Sequence, residues 1–469
     1  MTDYENNIKD FYNRDDFAAI VGRQGAEPHE VQFQRLEYAP RKAGVLPGML
    51  AARVLKKYAA VSGAATLYLH IPFCNLRCSY CSFYRNPFEA AQVDAYVELL
   101  IKELDLLAQQ GVFDKHPLEA VFFGGGTPSV LEAAQIERLL TKIHALAKLA
   151  PDCELTFESS IYDLDAGKLA ACIAGGINRF SFGVQSFDTR LRRSLGRINT
   201  EHEVMAKLEK AGKTGARVII DLIYGLIGQT QKMLLADIER AVSCGVSGLD
   251  LYKLQIMPKS PLGQAIESCK INYDHSDAVL GAMFGAAAAR LALHGAKPLS
   301  CCHWALRADE RSHYNTLVKR GTDVIACGCG CGGHMGLYKF MKTVDIDGYQ
   351  KKLEQGQYPV MAVSQYNESS PFLWHISGQC DTGCLDFGVL RAYNDADWSL
   401  LLAQLLQRWQ ALGLLTEHNS CYYLTTKGKY YYRQLDRLLL TAAEYALYGK
   451  PGLLEQAGQK MLGMMKNMQ

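Results

Sequence analysis

The segment LYLHIPFCNLRCSYC, residues 67–81, places three cysteines directly after a short run of strand-forming residues. Aliphatic and aromatic side chains dominate LYLHI, which predicts a buried strand, so Cys74, Cys78 and Cys81 fall in the loop at its carboxyl end. Five further strand candidates follow, namely AVFF from residue 120, ELTF from 154, RFSFGV from 179, RVIIDLIY from 217 and LDLYKLQI from 249.

Longer amphipathic stretches separate these runs, such as VDAYVELLIKELDLLAQQ from Val93 and AAQIERLLTKIHALAKL from Ala133. Strands that alternate with crossover helices predict an α/β fold with a parallel sheet, and six such units fit a partial βα barrel. Chemistry in that architecture lies at the carboxyl ends of the strands. The three cysteines occupy such a position.

Around the barrel, expected over residues 61–300, the sequence predicts three other segments. Residues 1–60 are interpreted as a helical lead-in, and residues 301–373 as a barrel extension with a Cys- and Gly-rich segment on the substrate side. In residues 374–469, helical patterns flank LLTEHNSCYYLTTKGKYY, two strand-like runs around a polar turn. This last pattern predicts a C-terminal winged-helix-like α+β module.

Composition excludes several classes of protein. The 469 residues carry 50 Lys and Arg against 48 Asp and Glu, a net charge of +2 that offers no basic field for nucleic acid. The first residues, MTDYENN, are polar and acidic, and no apolar run is long enough to span a bilayer, so we expect a cytoplasmic protein without a membrane or nucleic-acid partner. In that reducing compartment, 15 cysteines indicate metal ligands and buried thiols.

Three cysteines in one loop indicate an iron–sulfur cluster. A cubane normally takes four thiolates, so three leave one iron open for a cofactor that chelates it through amino and carboxylate groups. The alternatives are a zinc knuckle or three buried thiols. Structural zinc sites want four ligands, commonly in paired CxxC units, and no partner pair lies at a matching distance.

The motifs HIPFC, FFGGGTPS, RFSFGVQSFD, LGR and DLIYGL, in this order over Tyr68–Pro258, resemble those of the radical-SAM superfamily. The branch is that of oxygen-independent coproporphyrinogen III dehydrogenase. The resemblance implies a [4Fe–4S] cluster on Cys74, Cys78 and Cys81, with S-adenosylmethionine (SAM) at the open iron. It also implies a set of SAM-site residues, which are Tyr68, Tyr80, Gly125, Gly126, Thr127, Glu158, Gln185, Arg197 and Asp221.

Within that set, the family places Tyr80 against the adenosyl group, Asp221 on the ribose, and Gln185 and Arg197 around the ribose and the methionine carboxylate. Gly125, Gly126 and Thr127 match the loop that receives the methionine amino end. Glu158 matches a carboxylate facing SAM, and Tyr68 a position near cofactor and cluster. Each position also has a simple structural interpretation, because polar residues at strand ends often cap the next helix.

Two positions depart from the dehydrogenase pattern: Phe83 replaces a further cysteine, and Ile227 replaces a proline. The runs CSFYRNP, DLYKLQIMP and GCGCGGH instead resemble the anaerobic haem-utilisation members of the branch, the HutW and ChuW type. These are methyltransferases that open the haem macrocycle to a linear tetrapyrrole and release iron. The implied partners are haem as substrate and flavodoxin or an NAD(P)H-dependent reductase as electron donor; the alternatives are a haem chaperone and the dehydrogenase itself.

The remaining cysteines and histidines leave several possibilities open. Glycines between Cys327, Cys329 and Cys331 suit a tight loop against the substrate more than a second cluster, and we expect Gly328–His334 to roof the barrel mouth. His303, His313 or His334 could contact haem iron, although a lone histidine is more often a hydrogen-bonding residue. Roles for Cys301, Cys302, Cys380 and Cys384, the haem axial ligand, the number of bound SAM molecules and the oligomeric state are not determined by the sequence.

Overall fold

The computed structural model describes residues 3–26, 30–34, 42–47, 50–81, 86–273 and 276–449. The chain divides into two compact units. The smaller unit comprises Met1–Gly44, Lys319–Gly321 and Gln365–Gln469, and the larger comprises Val45–Val318 and Thr322–Ser364. Within the described residues, no helix is both long and apolar enough to cross a membrane.

The first elements of the chain are short. In order they are α1 (Asp3–Tyr12), α2 (Phe17–Ile20), β1 (Arg23–Gln24), β2 (Val31–Gln32), β3 (Lys42–Pro47) and α3 (Ala51–Ala59). Strands β1 and β2 pair antiparallel.

Alternating strands and helices then build the main sheet of the larger unit. They are β4 (Ala65–Ile71), β5 (Phe73–Cys74), β6 (Asn86–Pro87), α4 (Ala90–Gln109), β7 (Leu118–Gly125), α5 (Ala133–Leu146), β8 (Leu149–Ser159), α6 (Ala166–Ala174), β9 (Arg179–Gln185), α7 (Thr189–Ser194), α8 (Glu201–Gly212), β10 (Arg217–Tyr224), α9 (Gln231–Ser243) and β11 (Gly248–Lys253). Strands β4, β7, β8, β9, β10 and β11 are neighbours in that order, and each pair is parallel.

The six predicted βα units are therefore confirmed. Successive side chains of a strand point to opposite faces. In β4, Leu67, Leu69 and Ile71 are fully buried, whereas Tyr68 and His70 between them face the other side and stay partly accessible. Apolar residues thus face the crossover helices, and polar residues collect on the inner face.

The segment after β11 extends both ends of this sheet. Its elements are α10 (Pro261–Glu267), α11 (Asp277–Leu293), β12 (Lys297–Pro298), β13 (His303–Ala305), α12 (His313–Lys319), β14 (Asp323–Cys327), β15 (Gly332–Met335), β16 (Tyr338–Lys342), α13 (Ile346–Glu354) and β17 (Val360–Tyr366). Strand β13 pairs antiparallel with β11, and β14 pairs parallel with β4. The described strands run from β12 at one edge to β3 at the other, and the barrel is partial.

The C-terminal module has the order of a winged helix. Its elements are α14 (Ser370–Thr382), β18 (Cys384–Leu385), α15 (Trp398–Leu401), α16 (Ala403–Ala411), β19 (Leu415–His418), β20 (Cys421–Leu424), α17 (Thr426–Tyr430) and α18 (Tyr432–Tyr448). The strands pair antiparallel in the order β18, β20, β19. Asn419 and Ser420 join β19 to β20 with φ values of 51° and 61°, as a two-residue hairpin turn requires.

The two compact units differ from the four segments predicted from the sequence in where they place the N-terminal part of the chain. Residues 1–60 were expected to form one lead-in, but the chain up to Gly44 groups with the C-terminal module. The Phe11 ring lies 5.4 Å from that of Tyr445, and the Asn7 amide donates to the Ala446 carbonyl at 3.1 Å. Helix α1 buries Ile8 and Phe11, and α18 provides the apolar surface that they need.

Candidate active site

The three-cysteine loop begins as β4 ends. Cys74 lies in β5, which pairs in parallel with β6, so the segment at Asn86–Pro87 lies beside the start of the cysteine loop. The Cys81 amide donates to the Cys78 carbonyl at 3.3 Å, and the Ser79 amide donates to the Leu195 carbonyl at 3.1 Å. Cys74 is buried, and Cys78 and Cys81 are half-buried. Residues 82–85, including Phe83, lie outside the described residues.

The Cys74 thiol holds its proton at neutral pH. Burial, together with the nearby Cys81 and Cys78, raises the pKa of Cys74 to about 11, although the Thr127 hydroxyl donates to its sulfur at 3.4 Å. Among the described residues, no three His, Cys, Asp or Glu side chains form a group that could hold a single metal ion. A cubane does not need the three thiols to converge on one point, because each thiolate binds a separate iron. The positive charge of the irons offsets the cost of deprotonating the thiols.

Arg197 lies beside this loop. Its Nη1 donates to the Gly183 carbonyl at 2.6 Å and its Nη2 to the Tyr80 hydroxyl at 3.2 Å, while its buried Nε has no hydrogen-bond partner among the described residues. Burial opposes the charge of Arg197, but Tyr80, Cys78 and Asp221 raise its pKa. An unsatisfied cationic N–H next to the cysteines fits an anionic group of a ligand such as the SAM carboxylate.

Two carboxyl groups face the same region from the inner side of the sheet. Asp221 is in register with Asp250 on β11 and with Gly183 on β9. Burial, with Asp250 and Glu158 nearby, raises the pKa of Asp221 well above its usual value, although Arg197 lowers it. Burial also raises the pKa of Glu158 to about 7, while the Gly125 amide donates to its carboxylate. A buried acid close to Arg197 fits the hydroxyl groups of a ribose.

Close packing and backbone conformation require glycine at the end of β7 and in the turn that follows it. A Cβ on Gly126 would lie 2.6 Å from the Phe73 carbonyl oxygen, and Gly125 has φ +117°, which side chains rarely allow. A Cβ on Gly124 would lie 3.0 Å from both Glu158 and the Tyr68 ring. These glycines therefore bring the backbone of β7 against the start of the cysteine loop.

Gln185 ends β9 in a strained conformation. Its φ of 71° is left-handed, and the register between β9 and β10 shifts at this point. Its side-chain Nε2 lies 2.9 Å from where a Cβ of Gly183 would be, so Gln185 and Arg197 converge on the same glycine. Strain of this kind persists where surrounding contacts fix it, often at functional sites.

A small cavity of about 30 Å³ opens at this place. Its walls include Leu76, Cys78, Thr127, Arg192, Arg197 and Asn199. The structure thus brings the predicted residues together at the carboxyl ends of β4 and β7–β10. Their roles as ligands stay predictions.

A buried ionic network below this site was not foreseen. Arg179 donates to Glu310 at 3.0 Å, and His303 lies 3.2 Å from Glu310 and 3.1 Å from Asp250. His303 is 3% exposed, so it is a partner of two carboxylates rather than the haem contact considered from sequence. Polar residues that alternate with apolar ones along the strands were the available signal for this network. Glu310 could not be found in this way, because it follows β13 and belongs to no motif.

The Gly- and Cys-rich turn after β14 adjoins the cysteine loop. A Cβ on Gly328 would lie 2.7 Å from the His70 carbonyl oxygen, and Cys327 is in register with Leu69 on β4. Below the turn, Glu103 and Lys342 form a fully buried ion pair, and Glu103 accepts the Gly328 amide at 2.8 Å. The turn lies next to the cysteine loop because β14 and β4 are adjacent strands, and its role as a roof over the barrel mouth stays a prediction.

Comparison with known proteins assigns this arrangement to a family. Residues 68–241 match the model of the Radical SAM superfamily. Anaerobilin synthase from Escherichia coli O157:H7 is 32% identical over 367 residues, which cover 78% of this chain and 81% of that protein. The chain belongs to the radical SAM superfamily. Its cofactors are accordingly a [4Fe–4S] cluster and SAM.

Two further proteins are similar to this radical SAM protein over most of its length. Heme chaperone HemW from Bacillus subtilis (strain 168) is 28% identical over 370 residues, covering 77% of this chain and 95% of the chaperone. Coproporphyrinogen III oxidase (HemN) from Escherichia coli has a TM-score of 0.71 at 22% identity, covering 83% of this chain and 93% of the oxidase. At that identity the oxidase shows the shared fold.

Proposed function

We propose that this radical SAM protein is an anaerobic haem-degrading methyltransferase, which opens the porphyrin to a linear tetrapyrrole and releases iron. The observation that carries the proposal is the 32% identity with anaerobilin synthase over 81% of that protein. This alignment extends well beyond residues 68–241, so it includes parts of the chain outside the common radical SAM region.

Cys74, Cys78 and Cys81 would hold the cluster, and Arg197 and Asp221 would hold SAM. When bound, these cofactors supply one-electron reductive cleavage of a carbon–sulfur bond and a transferable methyl group. The remaining site residues would position SAM. Tyr80 would lie against the adenosyl group, Gly125, Gly126 and Thr127 at the amino end, and Glu158, Gln185 and Tyr68 around them.

The inner face carries a cluster of aromatic rings that would lie beside a tetrapyrrole. The Phe122 ring lies 6.1 Å from Tyr68 and 4.6 Å from Tyr314, with interplanar angles of 25° and 33°. Aromatic side chains suit contacts with a planar aromatic ligand. Flavodoxin or an NAD(P)H-dependent reductase in the cytoplasm would supply the electrons.

Replacing Arg197 or Asp221 by Ala is expected to weaken SAM binding and to leave the cluster in place. Loss of a charge-assisted hydrogen bond costs about 1.5 to 3 kcal/mol, roughly a 10- to 150-fold change in Kd. Equilibrium binding of SAM to the reconstituted protein measures the effect, and the exposed residue Glu209, changed to Ala, is the control. Unchanged affinity in both site variants would remove these residues from the SAM site.

The function is tested by incubating the reduced protein anaerobically with haem and SAM and recording the Soret band. We expect SAM-dependent loss of the band and a methylated linear product. The extent of the alignment with HemW, 95% of that protein, favours a haem chaperone as the second candidate. A stable, shifted Soret band would support the chaperone and contradict the proposal.

A further inference from the structure

The outer side of the cysteine loop reaches the protein surface. Asn75 and Arg77 are exposed within the loop, and two neighbouring segments pack directly against it. The Ser79 amide donates to Leu195 just after α7, and the Leu262 amide in α10 donates to the Ser79 carbonyl at 2.8 Å. A partner bound to this surface would therefore contact residues that are close in sequence to Cys78 and Cys81, or that are hydrogen-bonded to the loop between them.

Positive charge is concentrated on these three segments. Arg77 lies in the loop, Arg193 in the last turn of α7, and Lys259 shortly before α10, and all three side chains are exposed. In the described part of the chain, neither Arg193 nor Lys259 forms an ion pair. Of the acids nearby, Asp188 caps α7 through the Leu191 amide and Asp163 accepts a hydrogen bond from Asn75. The whole chain, by contrast, has a net charge of only +2.

One exposed apolar residue lies among these cations. Met257, two residues before Lys259, is 40% exposed. We call Arg77, Arg193, Met257 and Lys259 the loop face. Apolar and Met contacts surrounded by Arg and other charges are typical of a protein interface.

We propose that the loop face is the docking surface for an acidic one-electron carrier protein of the flavodoxin class. The cluster needs an electron from outside, while SAM and substrate would occupy the inner side of the sheet. Electrostatic complementarity favours an acidic partner and speeds its encounter. One electron leaves the anionic flavin hydroquinone of the carrier and enters the cluster; the flavin becomes the neutral semiquinone without releasing a proton, and no bond in this protein forms or breaks.

This inference rests on the cluster site of the proposed function but not on haem as its substrate. It is tested with holoenzyme carrying Arg193→Glu and Lys259→Glu together. The matched control carries Lys210→Glu and Lys213→Glu. These two exposed lysines lie at the end of α8, shortly before the amino end of β10, whereas the cysteine loop lies at the carboxyl ends of the strands. The probe is reduced flavodoxin, and the readouts are its Kd at low and high salt and the rate of SAM cleavage.

We expect the loop-face variant to bind flavodoxin about 10-fold or more weakly at low salt, with the difference shrinking at high salt because ions screen it. SAM cleavage driven by dithionite should be unchanged, since a small reductant needs no docking. Equal Kd values for the loop-face and control variants would overturn the proposal. So would wild-type protein that ignores flavodoxin but accepts electrons from a reductase. Flavodoxin-driven SAM cleavage without haem loss would reject the proposed function alone.

Discussion

Replacement of Cys74, Cys78 or Cys81 by Ala is expected to abolish both the cluster absorbance and all SAM cleavage. The reason is geometric and electrostatic. Each thiolate would hold one iron of the cubane, and the methyl group of Ala cannot bind iron. The Cys81 to Cys78 and Ser79 to Leu195 hydrogen bonds fix the loop backbone. Iron and sulfide analysis after anaerobic reconstitution, with quantified 5′-deoxyadenosine, measures the loss.

The control for these variants is Cys269→Ala, which removes an exposed thiol outside the site. It should reconstitute with the iron content of the wild type. A Cys78→Ala protein with full iron content and turnover would show that Cys78 is not a cluster ligand, and the same holds for Cys74 and Cys81. Loss of iron with unchanged thermal unfolding of the metal-free protein would separate a ligand from a residue needed for folding.

Replacement of Glu310 by Ala is expected to destabilise the barrel by about 3 to 5 kcal/mol. Arg179 and Glu310 are almost fully buried, and without Glu310 the guanidinium would retain, among the described residues, one carboxylate within ion-pair distance, that of Glu154 at 4.0 Å. An uncompensated buried charge is costly because protein groups cannot replace its lost hydration. Denaturant unfolding of the metal-free protein measures the change.

Asp309→Ala provides the matched control, because Asp309 pairs with Arg307 where both side chains are 50% exposed. A surface ion pair contributes about 0 to 1 kcal/mol, so this variant should unfold almost as the wild type does. Equal stability of the two variants would show that the buried network does not stabilise the barrel.

His303 gives this network a pH signature. Burial opposes its charge, but Asp250 and Glu310 raise its pKa to about 9, compared with about 6.5 when unfolded. The contribution to stability is therefore complete below pH 6.5 and is lost as the pH rises through 9, which amounts to roughly 3 kcal/mol. The Glu310→Ala variant should lose much of this dependence, because one of the two carboxylates that hold the imidazolium is absent.

The grouping of the candidate site residues could be predicted because its signals are local. Three cysteines after a strand, glycines after the next, and polar residues at strand ends each follow an apolar run that defines the strand. Parallel strands bring their carboxyl ends to one edge, so Cys74, Gly125 and Asp221 had to lie close together. The hairpin around Asn419 and Ser420 could be predicted for the same reason, because its signal is a polar turn between two short strand-like runs.

Other features depend on pairing between distant segments. The sequence by itself determined the βα order, the cysteine loop and the winged-helix-like module, because strand and helix periods are properties of short stretches. Only the tertiary structure decided that β14 lies against β4, that Glu310 meets Arg179 and His303, and that α1 packs on α18. These contacts join residues far apart in the chain, and their energy arises only when complementary charges or apolar faces are buried together.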